Sequence, residues 1–159
     1  MLPAGVCTPL RVLGTGREDV FDQLAELAAS LCWTPFAAIT LIEGPRLHVK
    51  GATSGISPPS ALEDTICRYT VQQDKVFIVP DLKKDPRFAT KPVLRAMSMP
   101  FYAGVPLHTP SGQKIGAVFV MDSVERELKG WQLRGLALLG MQVDARIELR
   151  IRQVLDPSV

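Results

Sequence analysis

A chain of 159 residues that is 47% hydrophobic, with a net charge of +2, is long enough for one domain with a sizeable core and too short for a second. Its 18 lysines and arginines are scattered among 16 carboxylates, so it has no concentrated basic stripe of the kind nucleic acid or an anionic membrane requires. No apolar stretch reaches the length of a membrane span and the start lacks the features of a signal peptide, so a cytosolic protein is expected.

Residues 1–16 mix Pro, Gly and Thr without periodicity and are expected to form an arm ahead of a single domain over 17–155, with 156–159 as a tail. From Glu18, the apolar residues Val20, Phe21, Leu24, Leu27, Ala28 and Leu31 recur at helical spacing. This predicts an amphipathic helix ending near Cys32-Trp33-Thr34-Pro35, because a residue before proline resists the helical region. Residues 36–42 are apolar at both parities, which predicts a strand covered on both faces. After the turn at Glu43-Gly44-Pro45, residues 46–50 alternate as an edge strand, with Leu47 and Val49 inward and Arg46, His48 and Lys50 outward.

Gly51 to Ser60 is rich in Gly, Ser and Pro and reads as a loop, with Ser57 or Ser60 placed to cap a helix over 61–73 that carries Leu62, Ile66, Tyr69 and Thr70 on one side. Val76–Val79 is a short strand closed by Pro80. Asp81 and Asp85 suit Asx-turns or caps, and Asp85-Pro86 suits a helix start. Arg87 is expected to pair locally with Asp81 or Asp85, the alternative being a cation that grips a ligand. The link from Asp81 to Pro100 carries Phe88, Val93, Leu94, Met97 and Met99, too much apolar surface for a solvated loop, and is expected to fold over the sheet as a lid.

Phe101–Leu107 and Ile115–Asp122, joined through Ser111-Gly112, form a hairpin on which the rest of the chain packs. Its first strand puts Phe101, Ala103, Val105 and Leu107 on one face and Tyr102, Gly104 and Pro106 on the other. Gly104 and Gly116 inside these strands call for a close neighbour, a helix in preference to a ligand. Residues 128–155 form the last helix, with Leu136, Leu139, Gly140, Val143, Ile147 and Ile151 on one stripe and Leu138, Met141, Ala145 and Leu149 on a second, which is more than one sheet needs. Glu148 and Arg152 form a supporting i,i+4 pair. The order of elements predicts an α+β domain, an antiparallel sheet between helix layers.

Cys7, Cys32 and Cys67 are odd in number and widely separated, so neither a disulfide framework nor, with only His48 and His108 to join them, a metal site is expected. Cys67 is expected to be a small buried hydrophobe.

Four motifs stand in order: Val79-Pro80-Asp81; Asp85-Pro86-Arg87-Phe88; Phe101-Tyr102-Ala103-Gly104-Val105-Pro106-Leu107; and Gly112 to Asp122 with Ile115, Gly116 and Val120 between. Together they resemble the GAF domain family, in particular a subgroup found in bacterial signalling proteins, and the similarity extends over about residues 18–152. The resemblance implies a PAS-related antiparallel sheet of about five to six strands with helices on both faces. The first and last helices would share one face and often form a homodimer contact there. The middle helix and the lid would enclose a pocket on the other.

The chain departs from the subgroup at Leu62, where relatives tend to carry arginine, and at Tyr69, where they tend to carry histidine, while Cys67 is kept. Cys67 precedes Arg68 and not a bilin-type histidine, the two histidines are poorly placed as haem ligands, and the cyclic-nucleotide motif is missing, so the resemblance carries over no named cofactor. Three readings follow: a small-molecule sensor in signal transduction, a dimerisation or scaffold module with a filled pocket, and a cysteine-dependent methionine sulfoxide reductase-like enzyme. The third ranks last, because no catalytic constellation is found. The expected ligand site is a largely apolar cavity for a neutral or weakly anionic small molecule, with Cys67, Arg87, Phe88, Tyr102 and Phe119 around it.

Overall fold

The computed structural model describes residues 14, 17–54, 60–62, 65–88, 90, 91, 98–156 and 158. Helix α1 (Asp19–Cys32) leads into strands β1 (Phe36–Glu43), β2 (Arg46–Ala52) and β3 (Ser60–Ala61), then helix α2 (Cys67–Thr70), strand β4 (Phe77–Val79) and a 3-10 turn (Pro86–Phe88). Strands β5 (Phe101–His108) and β6 (Lys114–Asp122) follow, and helix α3 (Gly130–Leu155) ends the fold. The strands form one sheet in the order β3-β2-β1-β6-β5-β4, and every pairing is antiparallel.

The alternation along β5 and β6 sorts side chains into two cores. Phe101, Ala103, Val105, Leu107, Val118 and Val120 face α1 and α3, together with Ile39 and Leu41 of β1. Tyr102, Phe119 and Met121 face the opposite way and pack with Ile66, Cys67, Phe77, Val79, Leu82 and Phe88. Both faces are covered, as the double parity predicts: Ile39 and Phe101 are fully buried and Phe119 is 9% exposed. The cover is unequal. On the first face it consists of 14- and 26-residue helices, with Gly140 of α3 against Val105 and Gly135 against Leu31 of α1. On the second, among the described residues, it comes from a four-residue helix, a 3-10 turn and the residues beside them.

Helix α1 ends where expected. Trp33 adopts a left-handed conformation (φ 57°), its N–H and that of Thr34 both return to the Ala29 carbonyl, and Pro35 follows. Helix α3 starts at Gly130, two residues later than the pattern suggested, because the Gln132 side chain accepts from the Lys129 N–H at 2.8 Å and so fixes the first turn.

Five expectations need correction. Strand β2 is not an edge, since Ser60–Ala61 pairs with Arg46 and Leu47; Ser60 is therefore a strand residue and not a helix cap, and Ser57 lies outside the described residues. The helix expected over 61–73 is confined, among the described residues, to Cys67–Thr70.

Lys50 does not point to solvent. The β1–β2 register shifts between Ile39 and Thr40, so that Ile39 pairs with Gly51 and Thr40 with Val49, and Lys50 is the extra residue of a β-bulge. Its side chain is 1% exposed, with Nζ 2.8 Å from the Glu18 carboxylate and 3.0 Å from the Gly14 carbonyl. Gly51 beside it has no room for a Cβ, because the α1 backbone at Phe21 and Asp22 lies directly against it.

Neither strand glycine of the hairpin admits a helix. Gly116 faces the Thr40 carbonyl of the neighbouring strand, and Gly104 faces the Tyr102 ring and the Phe119 Cβ.

Candidate functional site

The second face of the sheet is built in rows, because directly paired residues share a face. One row runs Val79, Tyr102, Met121, Phe36 across β4, β5, β6 and β1, and the next runs Phe77, Gly104, Phe119, Ala38. In the second row the glycine leaves a gap between two phenylalanines. Tyr102 leans out of the first row and fills it, with its ring 5.1 Å from Phe119 in a stacked arrangement and 6.4 Å from Phe77 edge-on.

The Tyr102 hydroxyl ends 2.6 Å from Thr70 Oγ1 and 3.8 Å from Cys67 Sγ. Thr70 Oγ1 also lies 3.5 Å from the Ile66 carbonyl, and either hydroxyl of the Tyr102–Thr70 pair can donate to the other. Cys67 Sγ also lies 3.6 Å from Thr40 Oγ1, which donates to the Ala117 carbonyl. Burial of these groups disfavours their charged forms. The Cys67 thiol is pushed up to about 11, with the Thr40 and Tyr102 contacts only partly offsetting that, and Tyr102 is held well above the usual phenol value by burial and by Cys67 beside it.

Four of the five residues expected at the site are therefore together: Cys67, Phe88, Tyr102 and Phe119 belong to one packed cluster. Arg87 sits at its rim. The guanidinium pairs with Asp85, whose Oδ1 also accepts the Arg87 backbone N–H at 2.9 Å, and lies 4.9 Å from the Phe77 ring centroid and 5.6 Å from that of Phe88. Asp85 is the local partner predicted, and Arg87 holds its carboxyl below the ordinary range.

The sequence reading missed Phe77, Thr40 and the stacking role of Tyr69, whose ring is 6.3 Å from Phe77 and 4.9 Å from Phe88. The parity of Phe77 against the β5 tyrosine was the available signal. Leu62, the other departure from the subgroup, packs partly buried against the same cluster. With Pro45, Ala61 and Arg68 it lines an open cleft of about 430 Å³. Of the expected lid, Phe88 is buried in the cluster and Met99 packs on it, while Val93, Leu94 and Met97 lie outside the described residues, as do Cys7 and residues 1–13, 15 and 16 of the arm. Among the described residues no group of three or more metal-donor side chains forms a site.

Residues 16–148 match the GAF domain profile. The chain belongs to the GAF domain family. This GAF domain is 30% identical, over 118 residues, to a cyclic di-GMP phosphodiesterase of Pseudomonas aeruginosa; the match covers 74% of the chain and 20% of that protein. The chain thus spans about a fifth of that relative's length.

Its fold is also that of the cyanobacteriochrome receptor PixJ, with TM-score 0.68 at 14% identity over 89% of this chain and 98% of that one. The free methionine-R-sulfoxide reductase of Neisseria meningitidis shares it too, with TM-score 0.67 at 14% identity over 84% and 78% of the two chains. The GAF domain described here is accordingly of the kind found in signalling proteins. Among its described residues no helix is long and apolar enough to cross a membrane.

Proposed function

We propose that this GAF domain is a cytosolic, non-catalytic regulatory module that senses a small molecule on the second face of its sheet and works as a homodimer through α1 and α3 on the first. The observation that carries this reading is the unequal cover of the sheet. Among the described residues the second face is closed by short elements, the kind of low-stability cover that opens for ligands. On the first face α3 buries one stripe on the sheet and leaves Trp131, Leu138, Met141 and Leu149 exposed along its outer side, with Leu27 exposed on α1. An apolar stripe of that length along a helix is a partner surface.

The match to the phosphodiesterase supports a place in a longer signalling protein, with this domain regulating an output and not performing it. Light scattering on the eluting protein is expected to give twice the chain mass, and Leu138→Glu to give the monomer mass with unchanged circular dichroism. A wild-type monomer at tens of micromolar or above sinks the dimer reading. For the sensing half, mass spectrometry under native conditions is expected to show a retained small molecule. A bare chain mass, together with no calorimetric heat from metabolite pools, leaves a scaffold module.

The reductase reading lacks support from the cysteine. An attacking sulfur needs a depressed pKa and access, whereas Cys67 is 2% exposed and its pKa is raised to about 11. Cys32, also buried, is pushed up to about 11 by burial. Both thiols are expected to stay unmodified by Ellman's reagent in the folded protein and to react on addition of denaturant. Rapid native-state labelling of Cys67 accompanied by methionine sulfoxide turnover that Cys67→Ser abolishes would restore the enzyme.

A further inference from the structure

We propose that the second face of this domain contains a binding slot for one hydroxylated aromatic ring, and that in the free chain Tyr102 fills that slot as an internal ligand. The slot is defined by groups other than Tyr102. Gly104 is its floor, Phe77 and Phe119 on the flanking strands are its walls, and Thr70 and Cys67 of α2 close its far end with a hydroxyl and a thiol.

Three observations separate a slot from ordinary core packing. The glycine stands where a strand through a core favours a β-branched or aromatic residue, and the nearest atoms a Cβ there would meet are the Tyr102 Oη at 2.6 Å, its Cζ at 2.9 Å and the Phe119 Cβ at 3.0 Å. The missing side chain thus makes room for the phenol. The hydroxyl is matched as well: Thr70 is fully buried, and its Oγ1, 2.6 Å from the Tyr102 Oη, can pair with a phenol as donor or as acceptor. Finally, the element that presents Thr70 and Cys67 is the four-residue helix, so the polar end of the slot sits on a short element of the cover.

The recognition is that of a para-substituted phenol: two aromatic walls, a flat floor and one buried hydroxyl opposite the ring's attachment. A free ligand of this class has to displace Tyr102, which is tethered in place and so competes at a high effective concentration. The inference rests on reading this face as the ligand face, yet the two fail separately, since a natural ligand retained by wild type speaks to sensing and the result below to the slot.

The experiment removes the internal ligand and supplies p-cresol. Tyr102→Ala is expected to gain thermal stability with millimolar p-cresol and to bind it about tenfold more tightly than toluene, the worth of one net buried hydrogen bond. That preference is expected to vanish in Tyr102→Ala/Thr70→Val, and wild type is expected not to respond. Equal response of wild type, or a folded Tyr102→Ala that ignores p-cresol or fails to prefer it over toluene, overturns the proposal.

Should Tyr102→Ala be unfolded, recovery of its native circular dichroism on adding p-cresol supports the slot. If it stays unfolded, the cycle of Tyr102→Phe and Thr70→Val decides. Each single change is expected to lower the folding equilibrium constant about tenfold, with the double variant falling little further. Additive losses overturn the matched hydroxyl and the proposal with it.

Discussion

Glu18→Ala is expected to lower the unfolding free energy by about 3 kcal/mol, measured by urea denaturation, because it withdraws the carboxylate that faces a buried ammonium. Lys50 is 1% exposed and its Nζ lies 2.8 Å from Glu18, whose other oxygen accepts from Arg150 Nε of α3 at 2.9 Å. One carboxylate at the start of α1 therefore ties the β2 bulge to the last helix. Lys50→Met is expected to cost less, since Glu18 is 23% exposed and keeps Arg150, and an apolar stem fits the space the lysine stem now occupies. Arg150→Ala is expected to cost under about 1 kcal/mol, as for other half-exposed pairs. Equal losses for all three variants would show that Lys50 is not the buried partner that matters.

The same cluster sets an acid limb. Burial pushes the Glu18 carboxyl up, but the hydrogen bonds from Lys50 and Arg150 outweigh it and leave the folded pKa below the ordinary one. The folded state thus favours the ionised form, so the contribution is complete above the unfolded pKa, about 4.3, and is lost as pH falls through the folded value. Glu18→Ala is expected to flatten that part of the stability profile.

What the sequence revealed and what it hid follow from how each feature is encoded. Period-two alternation is local, so the opposite faces of Phe101 and Tyr102 could be read directly, as could the two stripes of α3. Lys50 could not, because a bulge reverses parity and its cause is the approach of the α1 backbone to Gly51, a contact between segments about 30 residues apart. The extent of α2 was overestimated because Leu62, Ile66, Tyr69 and Thr70 have helical spacing whether the chain is one helix or a strand followed by a single turn. At the candidate site the residue types were legible and their relation was not. That Gly104 answers Tyr102 follows only from the register of β4 and β6 on either side, which sets Phe77 and Phe119 around the gap.

Phe119→Ala is expected to cost about 3–5 kcal/mol, the usual loss for truncating a buried aromatic side chain. Phe119 lies on β6 between β1 and β5, 9% exposed, with Tyr102 stacked at 5.1 Å and Phe36 at 6.3 Å. Its removal opens a cavity that a central strand, held by pairing on both sides, cannot collapse to fill. The loss belongs to the second face alone. At a temperature where the variant remains folded, its dimer association constant is expected to stay within about twofold of wild type, since residues that do not share partners act independently. Leu138→Glu is expected to do the reverse, abolishing association with little change in the urea midpoint, because Leu138 is 43% exposed on the outer side of α3. If Phe119→Ala instead weakens the dimer as strongly as Leu138→Glu does, the two faces are not separable and the division of labour between sensing and pairing fails.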